Sequence, residues 1–355
     1  MPWDPSGVTD PDAMASTTSG PRRAVTFPVR ILGTGVHEPS VMVTSADLDE
    51  RHGRPPGTTF ARSGVVERRW AGPHETSSTM AASALRAASG AADLRTDDLD
   101  AVIVATVLPE QPMPTTAVLV LRELGLGGGR AEAFDLNASC LGFLSALQVA
   151  TLGVAAGRWD RVGVIASELA SKGLNHAHVE SSALFGDGAG AVVVGRATPE
   201  DASSVLAMRF ATWPEGADLC RIDAGGTRWN VVTPPPGPES YLFAMDGRGV
   251  LQHAAAEVPG FLSAFFDAAP VDRDEVDLVV PHQASGVGLR YLREKIGFPA
   301  DRVVDILADH GNQVSASLPT ALHAAVTSGR LVRGQTALLL GTGAGLTIGA
   351  VLLSY

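Results

Sequence analysis

Apolar segments of strand length alternate with longer helical segments along almost the whole chain, and this alternation constrains the fold more than any other feature. The strand candidates are residues 29–33, 101–106, 133–136, 161–166, 191–194, 205–210, 278–280, 303–306, 337–340 and 347–353. The helix candidates are residues 77–91, 115–124, 141–156, 249–267 and 319–327. Near-continuous apolar strands interleaved with helices are typical of a sheet that is buried on both faces. The pattern therefore predicts an α/β fold.

The two parts of the chain repeat one pattern. Residues 98–104 (DLDAVIV) resemble residues 275–280 (EVDLVV), each an acidic turn before a buried strand. In each part a later turn carries an asparagine ahead of a helix. This predicts two similar α/β halves, residues 29–200 and 201–355, with a site at the carboxyl ends of strands. A chance likeness between recurrent α/β units is the alternative. Residues 1–28, rich in Pro, Ser, Thr, Gly and Asp, are expected to form a disordered or extended arm.

Charge and cysteine content exclude several classes of protein. The 355 residues carry a formal net charge of −11, which argues against nucleic-acid binding. No segment supplies the run of about 18 apolar residues that a membrane span needs. The two cysteines cannot form a disulfide framework or a four-cysteine zinc site, and no metal site is predicted. With no signal peptide in the sequence, these features indicate a cytoplasmic protein.

Cys140 is the first candidate catalytic residue. An apolar segment ends just before it and a predicted helix begins just after it, which places the thiol at a strand-to-helix turn. The helix dipole and the unpaired N–H groups there favour the thiolate. A thiolate in a tight turn is suited to attack a thioester or ester carbonyl. A small buried cysteine with a packing role is the other interpretation of this segment alone.

Two further turns place polar side chains behind predicted strands. His282 directly follows a buried strand, where an imidazole can act as a base or as a hydrogen-bond donor. Asn312 follows the strand predicted at 303–306, and its amide can donate to an oxyanion without changing charge. An asparagine in a turn or at a helix cap is the alternative. The glycine series at 341–345 lets backbone N–H groups approach a bound group closely. Together, the cysteine, histidine and asparagine suggest a pocket for acyl-thioester chemistry.

Four ordered motifs, within a likeness that covers about residues 29–355, resemble the β-ketoacyl-[acyl-carrier-protein] synthase III family. They are the segment around Cys140, FGDGAGA at 185–191, PHQA at 281–284 and HGN at 310–312. Residues 62–69 (RSGVVERR) also resemble the family's early Arg-Thr-Gly-Ile element. The resemblance implies a thiolase-type fold, with two similar α/β halves in a five-layered α/β/α/β/α arrangement, and a homodimer.

The resemblance also implies a reaction. Cys140 would be acylated by an acyl-CoA or acyl-carrier-protein thioester. His282 and Asn312 would bind a malonyl thioester and stabilise the enolate left by its decarboxylation, giving a β-ketoacyl product for secondary-metabolite or fatty-acid biosynthesis. Backbone N–H groups of Cys140 and Ala344 would form the oxyanion hole. No cofactor is expected, since CoA or phosphopantetheine thioesters are the substrates. Further substrate contacts are expected at Arg62, Ser285, Thr342 and Gly343.

Three positions depart from the family's pattern. Housekeeping members carry a tryptophan four residues before the early arginine, where this chain has Thr58. The arginine that usually follows the His-Gln-Ala-Asn run is absent or displaced to Arg290. The aromatic residue usual before the late glycines is Thr342. These changes predict a specialised relative with a different acyl entrance, serving a secondary-metabolite pathway.

Other functions remain open at this point. Cys140 could pass its acyl group to an alcohol, an amine or a carrier thiol without decarboxylation, although Asn312 favours condensation because simple transfer needs a base more than a second amide donor. A head-to-head condensation of two fatty acyl chains would need an extra carboxylate, for which Glu110 is the candidate. A non-catalytic partner subunit that only binds acyl carriers would be expected to have lost Cys140, His282 or Asn312.

Overall fold

The computed structural model describes residues 26–198, 200–201 and 203–355. The predicted arm at 1–28 therefore lies outside the described residues, except for its last three. The elements of the first half are β1 (Val29–His37), β2 (Val41–Thr44), α1 (Ser45–Arg51), α2 (Thr58–Ser63), β3 (Glu67–Trp70), α3 (Ser77–Ala91), β4 (Ala101–Ala105), α4 (Thr116–Glu123), β5 (Glu132–Leu136), α5 (Gly142–Ala155), β6 (Arg161–Glu168), α6 (Val179–Ser182) and β7 (Gly188–Arg196). Those of the second half are β8 (Ser204–Thr212), β9 (Cys220–Arg221), β10 (Ala244–Met245), α7 (Gly247–Phe266), β11 (Leu278–Pro281), α8 (Gly286–Tyr291), α9 (Leu307–His310), α10 (Ser317–Thr327), β12 (Thr336–Gly343) and β13 (Thr347–Ser354).

Two sheets frame the molecule. The first has the strand order β1-β7-β6-β4-β5, with β4 parallel to both β5 and β6. The second has the order β11-β12-β13-β8, with β11 parallel to β12. Their central strands are buried on both faces: all five residues of β4 are inaccessible, and so are the first eight of β7. This is what near-continuous apolar strands require.

Helices cover both faces of each sheet. The helices α5 and α10 lie between the two sheets, where Phe143, Leu147 and Leu322 pack against strands of both. The helices α3 and α4 cover the outer face of the first sheet, and α7 covers the outer face of the second. The five-layered α/β/α/β/α arrangement of a thiolase-type fold is therefore confirmed. In the part of the chain that the structure describes, no helix is long and apolar enough to span a membrane.

Nine of the ten predicted strands and all five predicted helices are present. The exception is the strand predicted at 303–306, which is wrong. Val303 forms only an isolated bridge with Val279. Beyond it, the side chain of Gln283 replaces a neighbouring strand: its Nε2 donates to the carbonyl of Val304 at 3.2 Å, and its Oε1 accepts from the N–H of Ile306 at 2.9 Å. The segment has strand-like composition, but after the N–H of Val304, which donates to the carbonyl of Val279, its next two bonded backbone groups pair with an amide side chain.

A close crossing of two backbone segments sets the position of the turn that ends at Asn312. A β-carbon at Gly186 would lie 2.2 Å from the carbonyl oxygen of His310. A β-carbon at Gly311, where φ is +66°, would lie 2.6 Å from the carbonyl oxygen of Leu184. Only glycines allow this approach. The backbone of Asn312 is then paired at this crossing, because its N–H donates to Leu184 at 2.9 Å and its carbonyl accepts from Gly186 at 3.1 Å.

We expect Gly186→Ala to lower the free energy of unfolding by about 1–3 kcal/mol, because the added methyl group meets a backbone carbonyl that cannot move freely. Gly90→Ala is the matched control. Gly90 lies near the end of α3 with nothing within 4 Å of an added β-carbon, so this change should stabilise the protein by about 0.5–1 kcal/mol. Urea unfolding of both variants measures the difference. Equal stability of Gly186→Ala and the wild type would contradict the crossing.

Candidate active site

One cavity of about 1050 Å³ opens between the two halves and contains all three predicted catalytic side chains. Cys140 lies at the turn before α5, His282 directly after β11, and Asn312 two residues after α9. The predicted substrate positions also line this cavity: Arg62, Ser285, Thr342 and Gly343. The predicted head-to-head base, Glu110, lies elsewhere and accepts from the N–H of Ser78 at the start of α3.

The turn that carries Cys140 is fixed by a side chain just before it. Ser139 adopts a φ of +52°, and its N–H donates to Oδ1 of Asn137 at 3.0 Å. The amide of Asn137 in turn donates to the carbonyl of Val107 at 3.3 Å. The N–H groups of Ala344 and of Cys140 itself both interact with the thiol. These two N–H groups lie close to the sulfur. They are therefore placed to donate to an oxyanion that forms on an acyl group bonded to it.

The free thiol of Cys140 is protonated at neutral pH. Burial raises its pKa to about 12, assisted by the nearby Cys220 and Glu168, and the two N–H groups lower it only partly. The expectation that the helix N-terminus favours the thiolate is therefore wrong for the resting enzyme. The helix dipole stabilises a thiolate only modestly, whereas moving a thiolate from water into a buried site costs more free energy.

His282 is a neutral imidazole at neutral pH. Burial lowers its pKa to about 4, and the side chain is 5% exposed. The backbone N–H of His282 donates to the carbonyl of Leu340 at 2.8 Å, which continues the pairing of β11 with β12. None of the described residues gives Nδ1 a hydrogen-bond partner. An uncharged imidazole in this position can accept a proton or donate a hydrogen bond without carrying a buried charge.

Asn312 lines the cavity, and both ends of its side-chain amide have a partner. Its Oδ1 accepts from the N–H of Val314 at 2.8 Å, and its Nδ2 donates to the carbonyl of Ala284 at 3.2 Å. Val314 has a φ of +54°, an uncommon conformation for a β-branched residue. The amide is thus held at both ends, and one hydrogen on Nδ2 stays available to a ligand.

The other predicted positions differ in what they do. Ser285 caps α8, since its Oγ accepts from the N–H of Gly288 at 3.1 Å. Thr342 and Gly343 end β12, and a β-carbon at Gly343 would lie 3.4 Å from the carbonyl oxygen of Ala138. Gly343 therefore lets the glycine series lie against the turn of Cys140.

Three arginines at the cavity mouth have no partner. Arg62, Arg248 and Arg290 are exposed, and within residues 26–198, 200–201 and 203–355 none of them makes a hydrogen bond or an ion pair. Arg221 also lines the mouth but is paired with Asp223 at 3.2 Å, and Glu180 is the one carboxylate exposed there. The sequence predicts Arg62 as a substrate contact and Arg290 as the displaced family arginine, but it does not predict Arg248, whose only signal is its position in the first turn of a helix.

Two buried or half-buried groups in the cavity were also missed. Glu168 ends β6, and Cys220 begins β9, so that both cysteines of the chain line one cavity. In the sequence, Glu168 looks like an ordinary polar residue after a strand. Among the described residues there is no group of three histidine, cysteine or acidic side chains that could hold a metal ion.

This fold and this cavity define a thiolase-fold acyltransferase with Cys, His and Asn side chains in one cavity. Residues 134–213 match the family model of 3-oxoacyl-[acyl-carrier-protein] synthase III, and residues 266–355 match the model of its C-terminal part. The β-ketoacyl-[acyl-carrier-protein] synthase III of Roseiflexus castenholzii is 38% identical over 323 residues, which cover 89% of this chain and 95% of that protein. The chain belongs to the β-ketoacyl-[acyl-carrier-protein] synthase III family.

Two other relatives extend the comparison. The acetoacetyl CoA synthase NphT7 of Streptomyces sp. is 33% identical over 326 residues, covering 92% of this chain and 98% of that protein. The crystal structure of the priming β-ketosynthase from the R1128 polyketide biosynthetic pathway superposes with a TM-score of 0.83 at 29% identity, covering 95% of this chain and 98% of that chain. The family thus includes relatives of both fatty-acid and polyketide biosynthesis.

We expect alkylation of Cys140 by iodoacetamide to rise about tenfold per pH unit up to about pH 10 without levelling, because only the thiolate reacts and the pKa lies near 12. Peptide mapping by mass spectrometry reads Cys140 separately from Cys220, and Cys140→Ser gives the background. A rate that levels between pH 6 and 8 would show a stabilised thiolate and contradict this account.

Proposed function

We propose that this enzyme joins an acyl group carried on Cys140 to a malonyl thioester by decarboxylative Claisen condensation, giving a β-ketoacyl product. The observation that supports it is the combination of the Cys140 thiol with two buried neutral donors, His282 and Asn312, in a single cavity. A second neutral donor has no role in simple acyl transfer. A second neutral donor does have a role in decarboxylative condensation, where negative charge develops on a thioester oxygen.

The first half-reaction transfers the acyl group to the enzyme. The sulfur of Cys140 attacks the thioester carbonyl while its proton passes to His282, and the proton then protonates the departing CoA or phosphopantetheine thiolate. Because burial keeps both groups neutral at rest, the thiol loses its proton in the same step in which it attacks. The N–H groups of Cys140 and Ala344 hold the oxyanion.

The second half-reaction forms the carbon–carbon bond. The thioester carbonyl oxygen of the malonyl group accepts hydrogen bonds from His282 and Asn312. The bond to the carboxylate breaks, CO₂ leaves, and its electron pair forms the enolate. The enolate carbon attacks the acyl carbonyl on Cys140, and the sulfur leaves and takes up a proton. Each donor of this kind contributes about 3–4 kcal/mol to stabilising the developing charge.

The substrates proposed are acyl-CoA or acyl-carrier thioesters, and no cofactor takes part. The unpaired arginines at the mouth support this choice, because the chain is acidic overall and yet offers cations where phosphates would enter. The residues at Thr58, Arg290 and Thr342 support a specialised member that serves a secondary-metabolite pathway. Arg62, Ser285, Thr342 and Gly343 are proposed to contact the substrate.

We also propose a homodimer. Strand β5 is the edge of the first sheet, and four of its five residues are only partly buried, among them Phe134 and Leu136. An edge strand with apolar side chains and a free row of N–H and C=O groups is suited to pair with a second copy of itself. β5 leads directly into the turn of Cys140, so the partner would also shape the cavity.

Acylation should be visible as a mass gain on the intact protein after incubation with a panel of acyl-CoA and acyl-carrier thioesters. Cys140→Ala should show none. Adding a malonyl thioester should discharge the acyl group as a β-ketoacyl product.

We expect Asn312→Ala to acylate nearly normally but to condense about 10²- to 10³-fold more slowly. Equal loss in both half-reactions would contradict the proposed role of Asn312. Discharge to an alcohol, amine or carrier thiol without CO₂ release would establish plain acyl transfer, and no adduct with any donor would indicate a non-catalytic partner subunit.

The cavity-mouth arginines give a second test. We expect Arg248→Ala to raise the KM for an acyl-CoA donor about fivefold at low salt, with little effect on kcat, because an exposed cation contributes about 1 kcal/mol to binding a phosphate. The difference should shrink as salt screens the charge. Arg122→Ala on α4, outside the cavity lining, is the control. A KM that does not change at low salt would contradict phosphate binding at Arg248.

A further inference from the structure

Glu168 is a buried carboxyl group in the cavity that the proposed reaction does not use. It ends β6, in the middle of the first sheet, and is 3% exposed. It lines the same cavity as Cys140 and lies close enough that its charge acts on the thiol. No arginine, lysine or histidine pairs with it anywhere in the described chain. A buried carboxylate without a cation is costly, so the group needs a reason to be there.

The contacts of Glu168 connect the two turns that carry Cys140 and Asn312. Its Oε1 accepts from the hydroxyl of Ser315 at 2.5 Å and from the N–H of Val107 at 3.0 Å. Ser315 belongs to the turn that directly follows Asn312. It also lies against the start of α5, because a β-carbon placed at Gly142, the first residue of that helix, would lie 3.5 Å from the β-carbon of Ser315. Val107 accepts the hydrogen bond from the amide that fixes the turn of Cys140. One carboxyl group therefore bonds to both sides of the site.

The same contacts leave a place for a proton on the other oxygen. Both short contacts are made by Oε1, whereas Oε2 lies 3.3 Å from the N–H of Val107, and the backbone N–H of Ser315 also interacts with the carboxyl group. The hydroxyl of Thr106 interacts with the carboxyl group, and it already donates its own hydrogen to the carbonyl of Leu108 at 3.0 Å. Because that hydrogen is already used, the hydroxyl oxygen of Thr106 can only accept from the carboxyl group. The pattern is that of a carboxylic acid with Oε1 as its carbonyl oxygen.

The charged and titratable groups around Glu168 agree with a neutral acid. Cys140 faces it from the turn before α5, and His282 lies in the same cavity with no charge at neutral pH. Asp187, beside the residue that pairs with Glu168 in β7, turns its carboxylate to Ser171. Helix α5 has no titratable residue. The one titratable residue of α3, Arg86, is exposed and donates to the carbonyl of Glu123. Burial raises the pKa of Glu168 to about 8.

We propose that Glu168 is a positioning residue that works as a neutral carboxylic acid, holding the turn of Asn312 against the turn of Cys140, and that its ionisation at alkaline pH slows condensation. The proposal rests on the proposed function for its kinetic part. When the acid loses its proton to solvent, the carboxyl group can no longer donate to Thr106. The carboxylate then repels the charge that develops on the sulfur of Cys140 and on the enolate.

Glu168→Gln separates the neutral acid from the carboxylate, because a glutamine keeps one acceptor oxygen and offers an N–H₂ to Thr106. We expect the wild type to lose condensing rate above about pH 8, whereas Glu168→Gln keeps most of the neutral-pH rate and holds it to about pH 9. Glu168→Ala should lose kcat about 100-fold at every pH, with a smaller change in KM, since the two turns are no longer held together. Glu110→Gln should keep the wild-type pH profile. A Glu168→Gln variant as inactive as Glu168→Ala would show that the carboxylate is required and would overturn the proposal.

Two readouts do not need condensing activity and keep this test distinct from that of the proposed function. The negative charge of Glu168 raises the pKa of Cys140, so iodoacetamide should alkylate Cys140 several-fold faster in Glu168→Gln than in the wild type at pH 9. The pKa of Glu168 in the folded protein lies above that of a glutamate in the unfolded chain. The unfolded chain therefore loses this proton first, and the group makes the wild type less stable as pH rises from about 4.5 to 8. Glu168→Gln should not show this slope in urea unfolding. Identical alkylation and identical slopes in the two proteins would overturn the proposal, even if neither condenses.

Discussion

The burial of α5 and α10 between the two sheets is the constraint on which the rest of the structure depends. Side chains such as Leu144 and Leu318 are fully inaccessible, so each helix can lie only where both sheets contact it. The N-terminal ends of these two helices then meet at one cavity. The turn before α5 carries Cys140, and the turn before α10 carries Asn312. Because the helices cannot shift without opening the core, the distance between the two turns is set by packing rather than by loop conformation.

The same burial makes the resting site electrically neutral. It raises the pKa of Cys140 to about 12 and that of Glu168 to about 8, and it lowers the pKa of His282 to about 4. Three groups that would be charged or partly charged in water are thus uncharged at neutral pH. A neutral site with aligned N–H donors has little to reorganise when an oxyanion forms, which is where preorganised electrostatics contributes most. The cations are kept at the mouth, in solvent.

The sequence predicts what depends on local pattern and misses what depends on a single side chain's partner. The strands and helices, Cys140 at its turn and His282 behind its strand all follow from apolar spacing and turn residues. The strand at 303–306 fails because Gln283, not a strand, satisfies the backbone there. Glu168 is missed because nothing in its neighbours indicates that Ser315, 147 residues away, reaches its carboxyl group. The thiolate at Cys140 fails because burial outweighs the helix terminus, and burial is a property of the whole fold.

Two of the three departures from the family's pattern lie on short helices near the mouth of the cavity, Thr58 on α2 and Arg290 on α8, and the third, Thr342, lies at the end of β12. The floor is built from strand ends and the central helices, where a shifted backbone would disturb the core. The mouth is built from α2, the first turn of α7 and the last turn of α8, which bear Arg62, Arg248 and Arg290 on exposed positions. Substitutions at those exposed positions leave Cys140, His282 and Asn312 where the packed core holds them. One architecture can therefore keep a fixed chemistry while its substrate varies, and this separation is why the floor identifies the reaction class more firmly than the mouth identifies the substrate.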